Sequence, residues 1–537
     1  MNTSCSTKFL KEEMGEDSAM RWILDWTDGV QFVRNLGIRC LSLGVYVCLA
    51  LSGLLFLEWI HVMFLATMAK AVGIKPRERY KWEDLDDGDY GFPMVLVQIP
   101  IYNEIEAYKI SIRAACRLSW PSDRFVIQVL DDSTDPVIKA MVEKECARWA
   151  QEGVNIRYQI RETRAGYKAG ALRQGLLHDY AKACEYVVIF DTDFQPDADF
   201  LKQSIPFLVH NPELGLVQAR WRYVNADECF LTRMQEMSLD YHFVVEQEAG
   251  SSFHSFFSFN GSGGIWRIAT INDAGGWNSR TTVEDMDLAV RAGLKGWKFL
   301  YLGELEVMSE LPSTFKAYRY QQHRWSCGPA NLFRKMVVEI TKNKEVSLWT
   351  KVYMVYNFFF IRKIIGTMFT FLFYGVVLPC VCLLPEVDVP KWGAVAATFL
   401  IATVNALVST PRSLHLAVPW ILFENVMSFH RAKGLAIGLL EAKRANEWVV
   451  TEKRGDALKN QNDLESSLLK KPVRLDRFRD RILAQELGIA AFLFACGCYN
   501  VVYGDDKYYI YLFPQSIFFT VAGFSLFGTV VPSYQLY

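Results

Sequence analysis

The chain has 537 residues, of which 51% are hydrophobic and 14% aromatic, and 58 lysines and arginines balance 59 acids for a formal net charge of −1. So even a balance gives no support for a nucleic-acid partner. The positive mean hydropathy beside an ordinary charged fraction argues against one large water-soluble enzyme and for a soluble domain joined to membrane spans.

Residues 1–38 mix acids, bases and tryptophans without a long apolar core and read as an N-terminal tail. The first apolar run starts far from the N-terminus and lacks a small-residue cleavage site, so no cleavable signal peptide is expected. Residues 40–57 are uncharged and apolar, and the run continues past Glu58 and His61 to Ala66. A bilayer span needs about 20 residues, so 39–66 is predicted to be a transmembrane anchor, with a buried helix as the alternative. A charged linker follows over 75–90.

Residues 91–335 read as an α/β domain. Strands are predicted at 95–100, 125–130, near 155–160, from 187, at 216–221 and around 299–302. Helices are predicted at 103–118, 135–151, 168–183 and 286–294, and at 232–247, where the role looks structural. Strands alternating with helices of this length indicate a parallel sheet covered on both faces. Beyond Trp325 the character changes. Residues 352–363, aromatic on one side and ending in Arg362 and Lys363, suit a helix in the membrane interface. Uncharged runs at 364–384, 392–410, 487–504 and from 508 onward approach or exceed spanning length. The layout is therefore an interfacial helix and two spans over 345–410, a basic loop with interfacial or re-entrant helices over 411–483, and two spans over 484–537. The 12 cysteines are scattered without zinc-site or disulfide spacing and read as reduced, buried thiols.

The residues that carry chemistry cluster at strand ends. The stretch 187–194, VVIFDTDF, is a buried strand running into Asp191 and Asp193. A pleat puts both carboxylates on one face, at the carboxyl end of a strand where open α/β sheets bind ligands. Two such carboxylates suit Mg²⁺ or Mn²⁺; two solvated aspartates in a turn are the plainer alternative. Residues 100–104, PIYNE, and 131–133, DDS, follow two other strands and can hydrogen-bond a nucleotide. In 282–285, TVED, a Thr or Asp is also an ordinary helix N-cap. Lys168 sits at a glycine-flanked helix start, a reasonable diphosphate contact, or is a solvated lysine. The loop 259–264, FNGSGG, lets backbone approach a sugar closely or is a plain turn. In 321–325, QQHRW, a guanidinium that forks onto a diphosphate stands beside an indole, a platform for a sugar ring; Arg-Trp is also common at membrane interfaces.

The clusters at 131–133, 191–193, 282–285 and 321–325, in chain order, resemble the D, DxD, TED and QxxRW signature of processive family-2 glycosyltransferases: cellulose, chitin and hyaluronan synthases. Residues 128–136, 281–289 and 316–333 resemble the plant cellulose-synthase-like A group, the glucomannan 4-β-mannosyltransferases. The sister C group, which makes the β-1,4-glucan backbone of xyloglucan, shares much of this; residues 302–306 and 447–453 look closer to the A group. Two departures are Thr192 where alanine is usual, and Ser-Gly-Gly at 262–264 where Thr-Ala-Gly is commoner.

The resemblance implies a GT-A (Rossmann-like) catalytic domain with a mostly parallel sheet, a multi-pass helical membrane region and an inverting mechanism. Asp131 and Asp132 would hold the nucleoside, with Tyr102 and Glu104 nearby. Asp191 and Asp193 would bind Mn²⁺ or Mg²⁺, and Lys168 and Arg324 would add positive charge to the departing GDP. Asp285 would be the general base, with Glu284 and Asp132 completing the catalytic set. Trp325 would stack the acceptor sugar, supported by Gln321 and Gln322. The implied donors are GDP-mannose and GDP-glucose, the acceptor is the growing β-1,4-mannan or glucomannan, and the setting is a lipid bilayer, expected to be the Golgi membrane. A β-1,4-glucan synthase is the nearest alternative, and mannosyl transfer to a lipid phosphate a further one. A glycosidase also uses two carboxylates but needs neither the metal pair nor a basic diphosphate clamp, and a transporter needs no α/β domain. Association with a second copy or an accessory subunit is compatible with this reading, though no motif carries it. One span before the domain and four after it place 411–483 on the domain's own side, and their basic character favours the cytosol; a lumenal active site is the competing arrangement.

Overall fold

The computed structural model describes residues 16–73, 75–85, 91–105, 107–390, 396–441 and 482–528. Its α/β part is built on eight strands: β1 (Val95–Ile101), β2 (Phe125–Asp131), β3 (Ile156–Ile160), β4 (Tyr186–Ile189), β5 (Gln195–Pro196), β6 (Leu214–Tyr223), β7 (Gly264–Arg267) and β8 (Lys298–Ser309). They form one sheet in the order β3-β2-β1-β4-β7-β6-β8-β5. The sheet is parallel through β3, β2, β1 and β4. It turns antiparallel on both sides of β7, is parallel again between β6 and β8, and ends with β5 antiparallel to β8. Four of the seven pairings among the described residues are parallel, so the expected mostly parallel sheet is present, with antiparallel pairing confined to the two sides of β7 and to β5.

The central strands are near-continuous apolar runs because helices cover both faces. One apolar cluster gathers Leu96, Val187, Trp266 and Phe299, and another gathers Val97, Ile127, Val188 and Phe207. Two buried glutamines interrupt the runs, and their amide nitrogens are bonded locally while Gln98 Oε1 has no partner among the described residues. Gln98 Nε2 donates to Gln128 Oε1 at 2.9 Å, and Gln128 Nε2 to the carbonyl of Gly175 at 3.1 Å. A Cβ at Gly175 would lie 2.4 Å from both amides, so glycine lets this helix close on the sheet.

Several expected elements shift for local reasons. The helix expected from 103 begins at Tyr108, because Asn103 adopts a left-handed φ of 52° and its amide ties the loop to Thr134. The helix expected over 168–183 is two pieces, Tyr167–Gly175 and Asp179–Lys182. β4 stops at Ile189, and Phe194 N bonds back to Asp191 O at 3.0 Å. Asp191 and Asp193 therefore leave the strand on a turn, not on a pleat. The helix at Phe230–Tyr241 widens into a π-helical turn over His242–Gln247.

Three helices among the described residues are long and apolar enough to cross a bilayer: Gly29–Ala69, Leu348–Val381 and Ala484–Tyr503, which marks a membrane protein. The first belongs to one continuous helix, Glu16–Val72, so residues from 16 are not a separate tail. The segment expected as an interfacial helix at 352–363 is continuous with the apolar run after it. Arg362 faces another helix there, with Nε 2.7 Å from Glu58 Oε1. The runs expected as spans at 392–410 and from 508 appear as shorter helices, Ala397–Ser409 and Tyr509–Gly523. The segment from 411 forms a short 3₁₀ turn, Pro411–Leu416, and then a 24-residue helix, Ala417–Leu440. That helix lies against Phe315–Lys342: a Cβ at Gly438 would meet Cys327 O at 2.3 Å. Every cysteine among the described residues is a free thiol. Residues 1–15, 86–90, 391–395, 442–481 and 529–537, including most of the basic loop and the stretch 447–453, lie outside the described residues.

Candidate active site

The carboxyl ends of β1, β2 and β4 open into one cleft, closed on its far side by the first turn of Glu284–Leu294 and by the helix Phe315–Lys342. Tyr102, Glu104, Asp132, Lys168, Asp191, Asp193, Glu284, Asp285, Gln321, Arg324 and Trp325 all line it. Residues spread over more than 200 positions thus meet in one place.

Two expected residues do not. Asp131 is fully buried and accepts from Ser133 N at 2.8 Å and Tyr158 Oη at 2.7 Å. Adjacent strand residues face opposite ways, so when Asp132 turns to the cleft Asp131 turns inward. Gln322 is also buried, with Oε1 accepting from Arg431 Nε at 2.7 Å. Positions i, i+3 and i+4 share a helix face, which groups Gln321, Arg324 and Trp325 and leaves Gln322 outside.

At the nucleoside end, Arg161 grips Asp132 with both arms. Nε donates to Oδ1 at 2.6 Å and Nη2 to Oδ2, both side chains being 6% exposed. The same guanidinium donates to Ala165 O and Tyr167 O, each at 3.0 Å, so it joins the end of β2 to the start of the Lys168 helix. Arg164 lies over the Tyr102 ring, 3.3 Å from its centroid. Arg161, Arg164 and the cleft residue Trp221 were not picked out from sequence. The stretch 161–168, RETRAGYK, carried a signal: two arginines just before the glycine-flanked lysine.

At the centre, Lys168 Nζ donates to Asp191 Oδ1 at 2.5 Å and to Gly261 O at 2.8 Å. Asp191 N donates to Ser262 Oγ at 2.9 Å, and Asp193 Oδ2 accepts from Glu310 N at 3.0 Å. Gly261 has φ of +84°, and a Cβ there would lie 2.9 Å from Asp285 Oδ2. The FNGSGG loop is therefore pressed against the carboxylates and is more than a plain turn.

Glu284 and Asp285 open their helix without capping it. The N-cap is Val283, with no side-chain cap bond, so ordinary capping does not explain the acids. Burial pushes the Glu284 carboxyl up and the Asp285 charge adds to this, against Lys168 and Arg324. Burial likewise raises Asp285, offset by the Met286 amide and by Lys168. It acts to lower the Lys168 ammonium, but Asp191 and Glu284 outweigh it and the group is raised. Cations and carboxylates thus hold one another in a partly dry cleft. Such a site can place positive charge on a leaving diphosphate while a carboxylate accepts a proton.

Two family profiles match the chain: Glycosyl transferase family 2 over residues 96–260 and Glycosyl transferase family group 2 over 186–410. Glucomannan 4-beta-mannosyltransferase 2 of Arabidopsis thaliana is 62% identical over 500 residues, covering 92% of this chain and 93% of the relative. The chain belongs to the glucomannan 4-beta-mannosyltransferases. Glucomannan 4-beta-mannosyltransferase 1 of Oryza sativa subsp. japonica is 59% identical over 92% of this chain and 95% of its own length. Among solved structures, the mannosyltransferase PcManGT from Pyrobaculum calidifontis, in complex with GDP-Man and Mn2+, is similar at 18% identity and a TM-score of 0.48, covering 73% of this chain and 100% of that one. As a member of the glucomannan 4-beta-mannosyltransferases, this chain carries its cleft next to helices long enough to span a bilayer.

Proposed function

We propose that the chain is a processive, inverting transferase that extends β-1,4-mannan or glucomannan from GDP-mannose, with some GDP-glucose, in the Golgi membrane. The observation that carries this reading is the meeting of the Lys168/Asp191 ion pair with Glu284 and Asp285 in one cleft. Asp132, held by Arg161, faces the nucleoside with Tyr102 and Glu104. Asp285 takes the proton from the acceptor C4 hydroxyl as that oxygen attacks the donor's anomeric carbon. The bond from that carbon to the diphosphate oxygen breaks on the opposite side, so an α-linked donor gives a β-linked product. Lys168 and Arg324 receive the charge that develops on GDP. Trp325 stacks the acceptor ring, and Gln321 stands beside it on the same helix face.

Asp191 and Asp193 are the residues that would hold a divalent ion. No cluster of three metal-ligating side chains is found among the described residues. Two carboxylates, with diphosphate and water completing the shell, fit the way Mg²⁺ is bound at nucleotide sites. When bound, Mn²⁺ or Mg²⁺ would neutralise charge on the diphosphate.

The test is incorporation of sugar from GDP-mannose, GDP-glucose and UDP-glucose by membranes carrying the full-length protein, with Asp285→Asn alongside. The reading expects a polymer that β-mannanase digests, absent in the variant. Polymer made only from a glucose donor would move the assignment to a glucan synthase.

A further inference from the structure

Charged side chains inside apolar helices are costly and mark function more often than not. Glu58, within the first candidate span, and Arg362, within the second, form such a pair at 2.7 Å, and both side chains are 12% exposed. Arg362 Nε also lies 4.0 Å from Glu246 Oε1. Glu246 Oε2 is 2.7 Å from His242 Nδ1, and His242 Nε2 is 3.2 Å from Asn260 Oδ1. The same oxygen accepts from Gln247 Nε2 at 3.0 Å. His242 Nε2 also lies 3.0 Å from Gln247 Nε2, so with Nδ1–H donating to Glu246 the ring accepts from Gln247, whose amide donates on to Asn260 Oδ1.

The π-helical turn His242–Gln247 is what lets His242 and Gln247, five positions apart, reach one oxygen; such widened turns recur at functional sites. The Gln247 amide donating to Oδ1 sets which way the Asn260 amide points. Its Nδ2 is buried and has no hydrogen-bond partner among the described residues. Asn260 lines the catalytic cleft next to Gly261, the residue that meets Lys168 and Asp285.

We propose that Asn260 Nδ2 donates a hydrogen bond to a sugar oxygen in the cleft, and that the ion pair between Glu58 and Arg362 is a positioning element that holds this amide through Glu246, His242 and Gln247. The inference rests on the reading of the cleft as a sugar-transfer site. It joins the membrane helices to the active site by direct contacts, and it assigns a purpose to a charged pair that packing alone would replace with apolar side chains.

A double-mutant cycle on full-length protein in membranes tests it. Glu58→Leu with Arg362→Met removes both charges and leaves Glu246 with His242 as its remaining partner. Asn260→Ala removes the donor. Loss of one well-oriented hydrogen bond should lower kcat/KM about tenfold, and the apolar pair should lower it less. Because the pair acts through Asn260, the combined variant should fall no further than Asn260→Ala alone. Losses that multiply, or an Asn260→Ala variant with wild-type kcat/KM, would overturn the proposal. Should the apolar pair fail to accumulate, Glu246→Ala takes its place in the cycle. Hydrogen exchange on solubilised full-length protein gives a readout free of any donor: the pair variant should exchange faster over 258–262 and unchanged over 125–131. Equal exchange at both would sink the positioning role. Silence of the wild type with GDP-mannose would instead sink the donor assignment, and the exchange result would still decide this one.

Discussion

Lys168 and Asp191 form the contact on which the cleft turns: the ammonium sits 2.5 Å from the carboxylate and, at the same time, 2.8 Å from the carbonyl of Gly261. A single side chain thereby joins the start of one helix, the turn after β4 and the FNGSGG loop. Lys168→Met should lower kcat about 10²–10³-fold, the usual cost of removing one preorganised stabilising group, with a smaller change in KM. Initial rates of sugar transfer against donor concentration check this.

Asp285→Asn should lower kcat about 10²–10⁴-fold, the span that a general base contributes. Because burial raises the Asp285 carboxyl and a base must be ionised, the acid limb of the kcat/KM profile should lie above the ordinary range for aspartate. Activity should rise with pH through that limb. A limb at ordinary aspartate pH would place the base elsewhere.

Glu284 also bears on stability. Its folded value is raised, so the folded state binds more protons than the unfolded chain between the ordinary and the raised value. Stability therefore falls as pH rises through that window. In metal-free protein, Glu284→Gln should raise the thermal midpoint at alkaline pH, and the gain should shrink as pH drops towards 4. Thermal scans at a series of pH values measure it.

Gly261→Ala should damage activity beyond its effect on folding. The backbone there is left-handed and the new methyl would sit 2.9 Å from Asp285 Oδ2. Left-handed backbone costs a non-glycine residue about 1–2 kcal/mol, and displacing the carboxylate should lower kcat at least about tenfold. Normal kcat in this variant would mean that the loop does not hold the base.

Arg161→Ala leaves Asp132 buried without its partner, an arrangement that costs about 3–5 kcal/mol. Arg161→Lys should recover little of it, because an ammonium cannot make the two-armed contact. Both variants should lose GDP affinity, whereas Gln322→Ala, which breaks a contact to Arg431 outside the cleft, should leave it unchanged. Unfolding midpoints and GDP titrations on solubilised protein distinguish the two cases.

The amino-acid sequence by itself determined the alternation of strands and helices, the strand-end acid clusters and the apolar runs. Apolar periodicity and turn residues act locally, so β1, β2 and β6 could be read off directly. Ordered motifs placed eleven cleft residues without a structure. Tertiary structure decided which neighbour in each motif faces the cleft. Asp131 and Asp132 differ by one pleat, Gln321 and Gln322 by a rotation about one helix axis, and neither difference has a compositional signature. It also decided the partners that lie far away in the chain. Arg161 on Asp132, Glu310 N on Asp193 and Arg362 on Glu58 are set by how the sheet curls and how two apolar helices meet. A sequence records that Glu58 and Arg362 are charges inside apolar runs, but only the packed helices bring them to 2.7 Å, because a buried charge must find its opposite in space and not in the chain.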